Sequence, residues 1–248
     1  MENLVFHVFL VALGTALATG LGAVPFAFVK TLSSRMQGIA YAVAGGMMLS
    51  ASVFSLAEQG LRRGRVWDVV IGFLAGAYFY WRTGKYVEKT DWTLENMSLH
   101  DSRQSVLIIL TMFIHSIPEG IAIGVGYGTG EFKFGLLLAI AIAVHNIPEG
   151  IAISLPLRAK GVSTFKCALY SVFSSVPQPV AAVPAFLLVW FFQPLLAFSL
   201  GLAGGAMIFL VIAELIPESL MLCSRNDCAW GIMAGLVIML VFTSGLGI

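Results

Sequence analysis

Charge is what this chain has least of. Asp, Glu, Lys and Arg make up 11% of its 248 residues, against 58% hydrophobic residues, and the mean hydropathy is +0.92. So little polar surface cannot keep a soluble domain of this length dispersed, and the composition predicts an integral membrane protein. A net charge of +1 excludes the basic footprint of a nucleic-acid-binding protein. Cys167, Cys223 and Cys228 form no CxxC pair, which argues against a thiolate metal site. The period-two alternation of a membrane barrel is absent, leaving helices to satisfy the backbone in lipid. The start, "MENLVFHVFL", lacks the basic end of a signal peptide and its apolar run is too long for one, so it reads as a first span.

What is present is a series of eight apolar segments long enough for about 30 Å of hydrocarbon. They fall near residues 4–29, 37–58, 66–81, 104–126, 133–155, 164–190, 195–222 and 229–247. The intervening basic residues are unevenly shared. Lys30, Arg35, Arg82, Lys85, Lys89, Arg103, Arg158, Lys160, Lys166 and Arg225 fall in one set of loops, and Arg62, Arg63, Arg65 and Lys133 in the other. The positive-inside bias then places both termini outside and the loop 82–103 in the cytoplasm. With no targeting segment, a plasma membrane is expected, the inner membrane if the source is bacterial. "AGGMMLSASVFSLAEQ" in the second segment parallels "AGGAMIFLVIAELIPES" in the seventh, with Met48 and Met207 in register. The expected fold is all-α, eight helices in a 3+2+3 arrangement, residues 1–248 forming one transmembrane domain with an inverted repeat.

Inside this apolar background stand two near-copies, "HSIPEGIAIG" from His115 and "HNIPEGIAIS" from His145, thirty residues apart. Four-residue spacing puts His115 and Glu119 on one helix face, and His145 and Glu149 on another. Pro118 and Pro148 lack an N–H, so the carbonyls of Ile114 and Val144 lose helical partners and a kink is expected. Gly120 and Gly150 allow another backbone close. An ionisable group inside a span costs several kcal/mol or more, so each pair marks function. Two imidazoles and two carboxylates make a mixed nitrogen and oxygen set suited to zinc, and also to iron, manganese, cobalt or cadmium. Two negative charges balance one dication. A buried His–Glu pair that only staples helices is the competing reading, and the matched second copy argues against it.

The paired "HSIPEG" and "HNIPEG" signatures resemble those of the ZIP (Zrt/Irt-like) zinc/iron permease family, and the resemblance extends over essentially the whole chain, including "ELIPES" in the seventh segment. It implies uptake of a divalent metal into the cytosol, with His115, Glu119, His145 and Glu149 as the primary site between the fourth and fifth spans. Departures stand beside that site. Ser116 follows His115 where the family usually has asparagine, while Asn146 follows His145, and Gln178 in "SSVPQPVAA" replaces a frequent glutamate. Gln178 brings no charge, so one well-occupied metal is expected, with Ser116, Asn146 and Gln178 beside it or along its route. Glu214 in "VIAELIPES" is a candidate transit carboxylate.

The expected activity is alternating-access transport of a divalent transition metal, zinc first among the candidates, toward the cytoplasm. The rivals are an intramembrane zinc-dependent hydrolase and a metal sensor that does not transport. Neither HExxH nor a serine in GxSxG occurs, so an enzyme is not expected. The implied partners are the metal and the lipid membrane, without nucleic acid. The many small residues are compatible with a homodimer.

Overall fold

Long apolar runs leave the backbone no hydrogen-bond partners but its own carbonyls, and the chain meets that constraint with helices. The structure is a computed structural model that describes residues 2–28, 33–87, 89, 94, 98–130 and 132–245, without the side chains of residues 100 and 101. Among the described residues there is no strand. The helices are α1 (Glu2–Phe28), α2 (Ser34–Arg63), α3 (Val66–Val87), α4 (Leu99–Gly128), α5 (Phe132–Ala159), α6 (Thr164–Ser175), α7 (Pro177–Leu187), α8 (Val189–Leu222) and α9 (Arg225–Gly245). A tight 3₁₀ turn interrupts α1 at Gly20–Ala23, and α-helix gives way to π-helix at Ser52–Ala57 in α2 and Val211–Leu215 in α8.

Among the described residues, six runs are long and apolar enough to cross a membrane: α1, α2, Ser102–Gly128 of α4, α5, α8 and α9. The expectation of eight is therefore met in part. The segment expected at 66–81 is helical and continues to Val87, but Asp68, Trp81, Arg82, Lys85 and Tyr86 dilute its hydropathy. The segment expected at 164–190 is divided at Val176, because Pro177 has no N–H to continue the ladder and instead opens α7. The polar loop expected at 82–103 is shortened from both ends by α3 and α4. Its residues 88, 90–93 and 95–97, the side chain of His100, and Lys30 lie outside the described residues. At the expected kink sites α4 and α5 remain helical through Pro118 and Pro148.

The helices pack through backbone-to-backbone contacts at small residues. A Cβ at Gly72 or Gly76 of α3 would strike the α8 backbone at Phe198, Leu202 or Ala206. A Cβ at Gly231 or Gly235 of α9 would meet α2 at Ile39, Ala42, Val43 or Met47. These contacts are equivalent. Gly72 and Gly231, Gly76 and Gly235, Val43 and Leu202, and Met47 and Ala206 are each 159 positions apart in the sequence. The two π-helical turns begin at Ser52 and Val211, with the same separation. Gly45 faces Val211 while Gly204 faces the Ser52 carbonyl, a reciprocal contact of the kind a two-fold relation produces. Elsewhere Gly22 and Gly150 join α1 to α5, Gly120 and Gly124 join α4 to α7, and Gly20 abuts α6. Apart from Gly128 of α4, which meets Val189 at the start of α8, the close glycine contacts sort into a group of α1, α4, α5, α6 and α7 and a group of α2, α3, α8 and α9.

Candidate metal centre

The four-residue spacing in each motif carries its histidine and glutamate to one face of α4 and one face of α5, and packing turns those faces toward each other. His115 Nε2 lies 3.3 Å from Glu119 Oε1 and 3.2 Å from Glu149 Oε1. His145 Nε2 lies 3.6 Å from Glu119 Oε1 and 3.1 Å from Glu149 Oε1. One ligand atom from each of the four residues falls within 4.8 Å of all the others. The imidazole rings face each other at 5.9 Å between centroids and 29° between planes. All four side chains are buried, at most 2% exposed.

Hydrogen bonding shows which way these atoms are turned. His115 Nδ1 lies 3.0 Å from the Ala203 carbonyl of α8. A carbonyl only accepts, so Nδ1 carries a proton and donates it, which turns Nε2 toward the cluster. His115 Nε2, His145 Nε2, Glu119 Oε1 and both oxygens of Glu149 have no hydrogen-bond partner although fully buried. A buried polar atom without a partner costs about 1–3 kcal/mol, more when charged. Here several such atoms converge on one point, and a divalent cation would satisfy them together while cancelling two carboxylate charges.

The neighbouring residues divide differently. Gln178 of α7 donates from Nε2 to Glu119 Oε2, and also to Asn146 Oδ1 at 3.2 Å. Its Oε1 accepts from Asn146 Nδ2 at 3.1 Å and from the Thr15 hydroxyl at 2.7 Å. Asn146 Nδ2 also donates to the Thr15 carbonyl at 2.8 Å. Ser116 turns away, donating to the carbonyls of Met112 and Ser174 at 2.9 and 3.0 Å. Glu214 does not join the cluster. It lines a cavity of about 380 Å³ with Arg103, Gln104 and Glu218 among others, and Gln104 Nε2 donates to Glu218 Oε2 at 3.4 Å. His7 stands apart from the centre, its ring against Tyr127 and Phe132. Glu58 pairs with Arg62 at 2.7 Å.

Thr15 and Ala203 are neighbours of the site that motif spacing does not reveal. The 159-residue repeat would have pointed to the first. It pairs Thr15 with Ser174, whose carbonyl receives Ser116, just as the Thr15 carbonyl receives Asn146. Gly120 and Gly150 do admit close backbone. A Cβ at Gly150 would meet the Thr19 carbonyl, and one at Gly120 the Gln178 carbonyl.

A helical protein with several membrane-length apolar rods and a buried two-histidine, two-carboxylate cluster at a helix hairpin is, by these features, a membrane protein that carries a ligand set suited to a metal ion. The model of the ZIP zinc transporter family matches residues 89–243, and the chain belongs to that family. Zinc transporter GufA of Myxococcus xanthus is 32% identical over 242 residues, covering 93% of this chain and 95% of that protein. Zinc transporter ZIPB of Bordetella bronchiseptica is 34% identical over 267 residues, covering 99% and 84%. A protein of Arabidopsis thaliana is 43% identical over 222 residues, 89% of this chain but only 36% of the plant protein. The chain therefore spans about a third of that plant relative and most of the two bacterial ones.

Proposed function

We propose that this protein is a membrane transporter that takes up a divalent transition metal, zinc first, and that His115, Glu119, His145 and Glu149 hold the metal in transit. The observation that carries the reading is the convergence of buried ligand atoms with no partner of their own. Neutral imidazole nitrogens and carboxylate oxygens suit zinc, and the same donors accept iron, manganese or cobalt. Family membership and the names of GufA and ZIPB support transport rather than hydrolysis.

The proposed arrangement is a single domain of eight crossings, with α3 and the α6–α7 pair counted beside the six membrane-length apolar runs. The repeated glycine contacts 159 residues apart support reading the outer helices as an inverted repeat around the α4–α5 hairpin. The distribution of Lys and Arg supports outside termini, and a plasma membrane is the proposed location. A cavity of about 550 Å³ is lined by Glu58, Arg62 and Phe134 among others. The cavity containing Glu214 touches α4 at Gln104 and Leu107. Phe134 precedes His145 on α5 and Gln104 precedes His115 on α4. Because the two helices form a hairpin, the cavities approach the centre from opposite ends.

Metal would enter the first cavity, shed water and be captured by the four ligands. Rocking of the α1–α4–α5–α6–α7 group against the α2–α3–α8–α9 group then opens the route toward Glu214. Protons compete for every ligand, so falling pH favours release. Cells expressing the protein should accumulate radioactive zinc, and proteoliposomes should show the same flux, with His145→Ala and Glu149→Ala reducing it to background. Zinc bound without flux, or a hydrolysed product without flux, would sink the transporter reading.

A further inference from the structure

The two ligand motifs are nearly identical in sequence, yet their carboxylates are held differently. Glu119 Oε2 receives the side-chain amide of Gln178, leaving Oε1 aimed at the imidazoles. Glu149 receives no amide or hydroxyl donor at either oxygen, and only the imidazole Nε2 atoms stand beside it, at 3.2 and 3.1 Å from Oε1. The asymmetry has a definite origin in the repeat. The position equivalent to Gln178, 159 residues earlier, is Thr19. Both residues lie where their backbone carbonyl packs on a motif glycine, Gln178 on Gly120 and Thr19 on Gly150. Thr19 is too short to reach a carboxylate as Gln178 does, and its hydroxyl instead pairs with Ser175 at 2.7 Å.

We infer that Gln178 is a positioning residue that fixes Glu119 as the rigid carboxylate of the metal centre, leaving Glu149 as the adaptable one. Gln178 uses both N–H groups, on Glu119 and Asn146, and its carbonyl oxygen accepts from Asn146 and from the Thr15 hydroxyl, whose single proton it shares with the Ala12 carbonyl. A fully satisfied amide in a buried network has one orientation, and it presents a donor, not an oxygen, to Glu119. With that donor in place, Gln178 is not a metal ligand. Glu119 binds through Oε1 alone, while Glu149 is free to bind through one oxygen or both. Glu149 is then the ligand that adjusts as the zinc ion arrives and leaves, and Glu119 is the anchor that keeps the site in place.

This inference rests on the four-residue metal centre proposed above, and the test separates the two. Zinc affinity of the full-length protein in detergent is measured by competition with a chromophoric chelator. Glu119→Gln and Glu149→Gln should each weaken binding. If neither does, the metal centre falls and the positioning role falls with it. Gln178→Leu is then made in the intact, Glu119→Gln and Glu149→Gln backgrounds. A hydrogen bond to a charged group predicts roughly tenfold weaker binding in the intact and Glu149→Gln backgrounds. In the Glu119→Gln background the additional loss should be less than about twofold, because coupled residues are not additive. An equal loss in both carboxylate backgrounds would show a packing role only and overturn the proposal, as would no loss in the intact protein. Should Gln178→Leu fail to fold, Thr15→Val, which loosens the same amide from behind, must show a smaller loss with the same dependence on Glu119. Thr19→Val, the equivalent change on the other side, should leave zinc affinity unchanged.

Discussion

Replacing Glu149 with alanine is expected to weaken zinc binding by at least about a hundredfold while leaving the metal-free protein as stable as before, or more so. Changes merely adjacent to metal ligands typically cost about 10–100-fold in affinity, and Glu149 stands nearer than that. Its Oε1 lies 3.2 and 3.1 Å from the two imidazole Nε2 atoms. Without it a dication keeps one carboxylate and loses charge balance in a medium that penalises charge. Stability runs the other way. Both oxygens of Glu149 are buried without a hydrogen-bond donor, so in the metal-free protein the side chain is a desolvated charge with only the histidines beside it. The imidazoles can shed their protons once the carboxylate is gone, so no uncompensated buried charge is left behind and the usual penalty for removing one partner of a buried pair does not arise. Zinc titration calorimetry and a thermal melt in chelator would check both halves. A large loss of metal-free stability would mean that the carboxylate is a structural staple.

The second large effect is expected from a single methyl group. Gly150→Ala places a Cβ against the Thr19 carbonyl, with the backbone of Gly22 also near. Both neighbours are backbone of α1, so no flexible side chain can move aside, and α1 and α5 must separate. Overpacking of this kind costs about 1–3 kcal/mol. Separation also stretches the bond from Asn146 to the Thr15 carbonyl, and it moves Glu149, the adjacent residue. The variant should melt earlier and bind zinc poorly. Gly14→Ala is the matched comparison: nothing lies within 4 Å of its Cβ. It should be neutral or gain up to about 1 kcal/mol from helix propensity. Equal melting temperatures for the two variants would contradict the close packing of α1 on α5.

The sequence makes some of this architecture readable because the relevant physics is local. A histidine and a glutamate four residues apart share a helix face whatever surrounds them, so the two ligand pairs can be named without coordinates. Pro177 likewise announces the division of the sixth apolar segment, although a hydropathy reading passes over it. What escapes is tertiary. Gln178 and Glu119 are separated by 59 residues and Thr15 and Gln178 by 163, and no local periodicity links them. The sequence leaves Gln178 either beside the metal site or along its route, and only the packing shows that its amide turns toward one carboxylate. Glu214 illustrates the reverse limit. A lone carboxylate in an apolar segment reads as functional, but only the fold places it in a cavity with Glu218 and away from the four ligands.

The most direct measurement is zinc K-edge X-ray absorption on the zinc-loaded protein. A zinc ion held by the four residues gives a low-coordinate shell of nitrogen and oxygen donors at about 2.0–2.2 Å, with the outer-ring scattering of two imidazoles. That imidazole signal should halve in His145→Ala. Sulfur donors at about 2.3 Å, or an oxygen-only shell without imidazole scattering, would contradict a centre made by the two matched motifs.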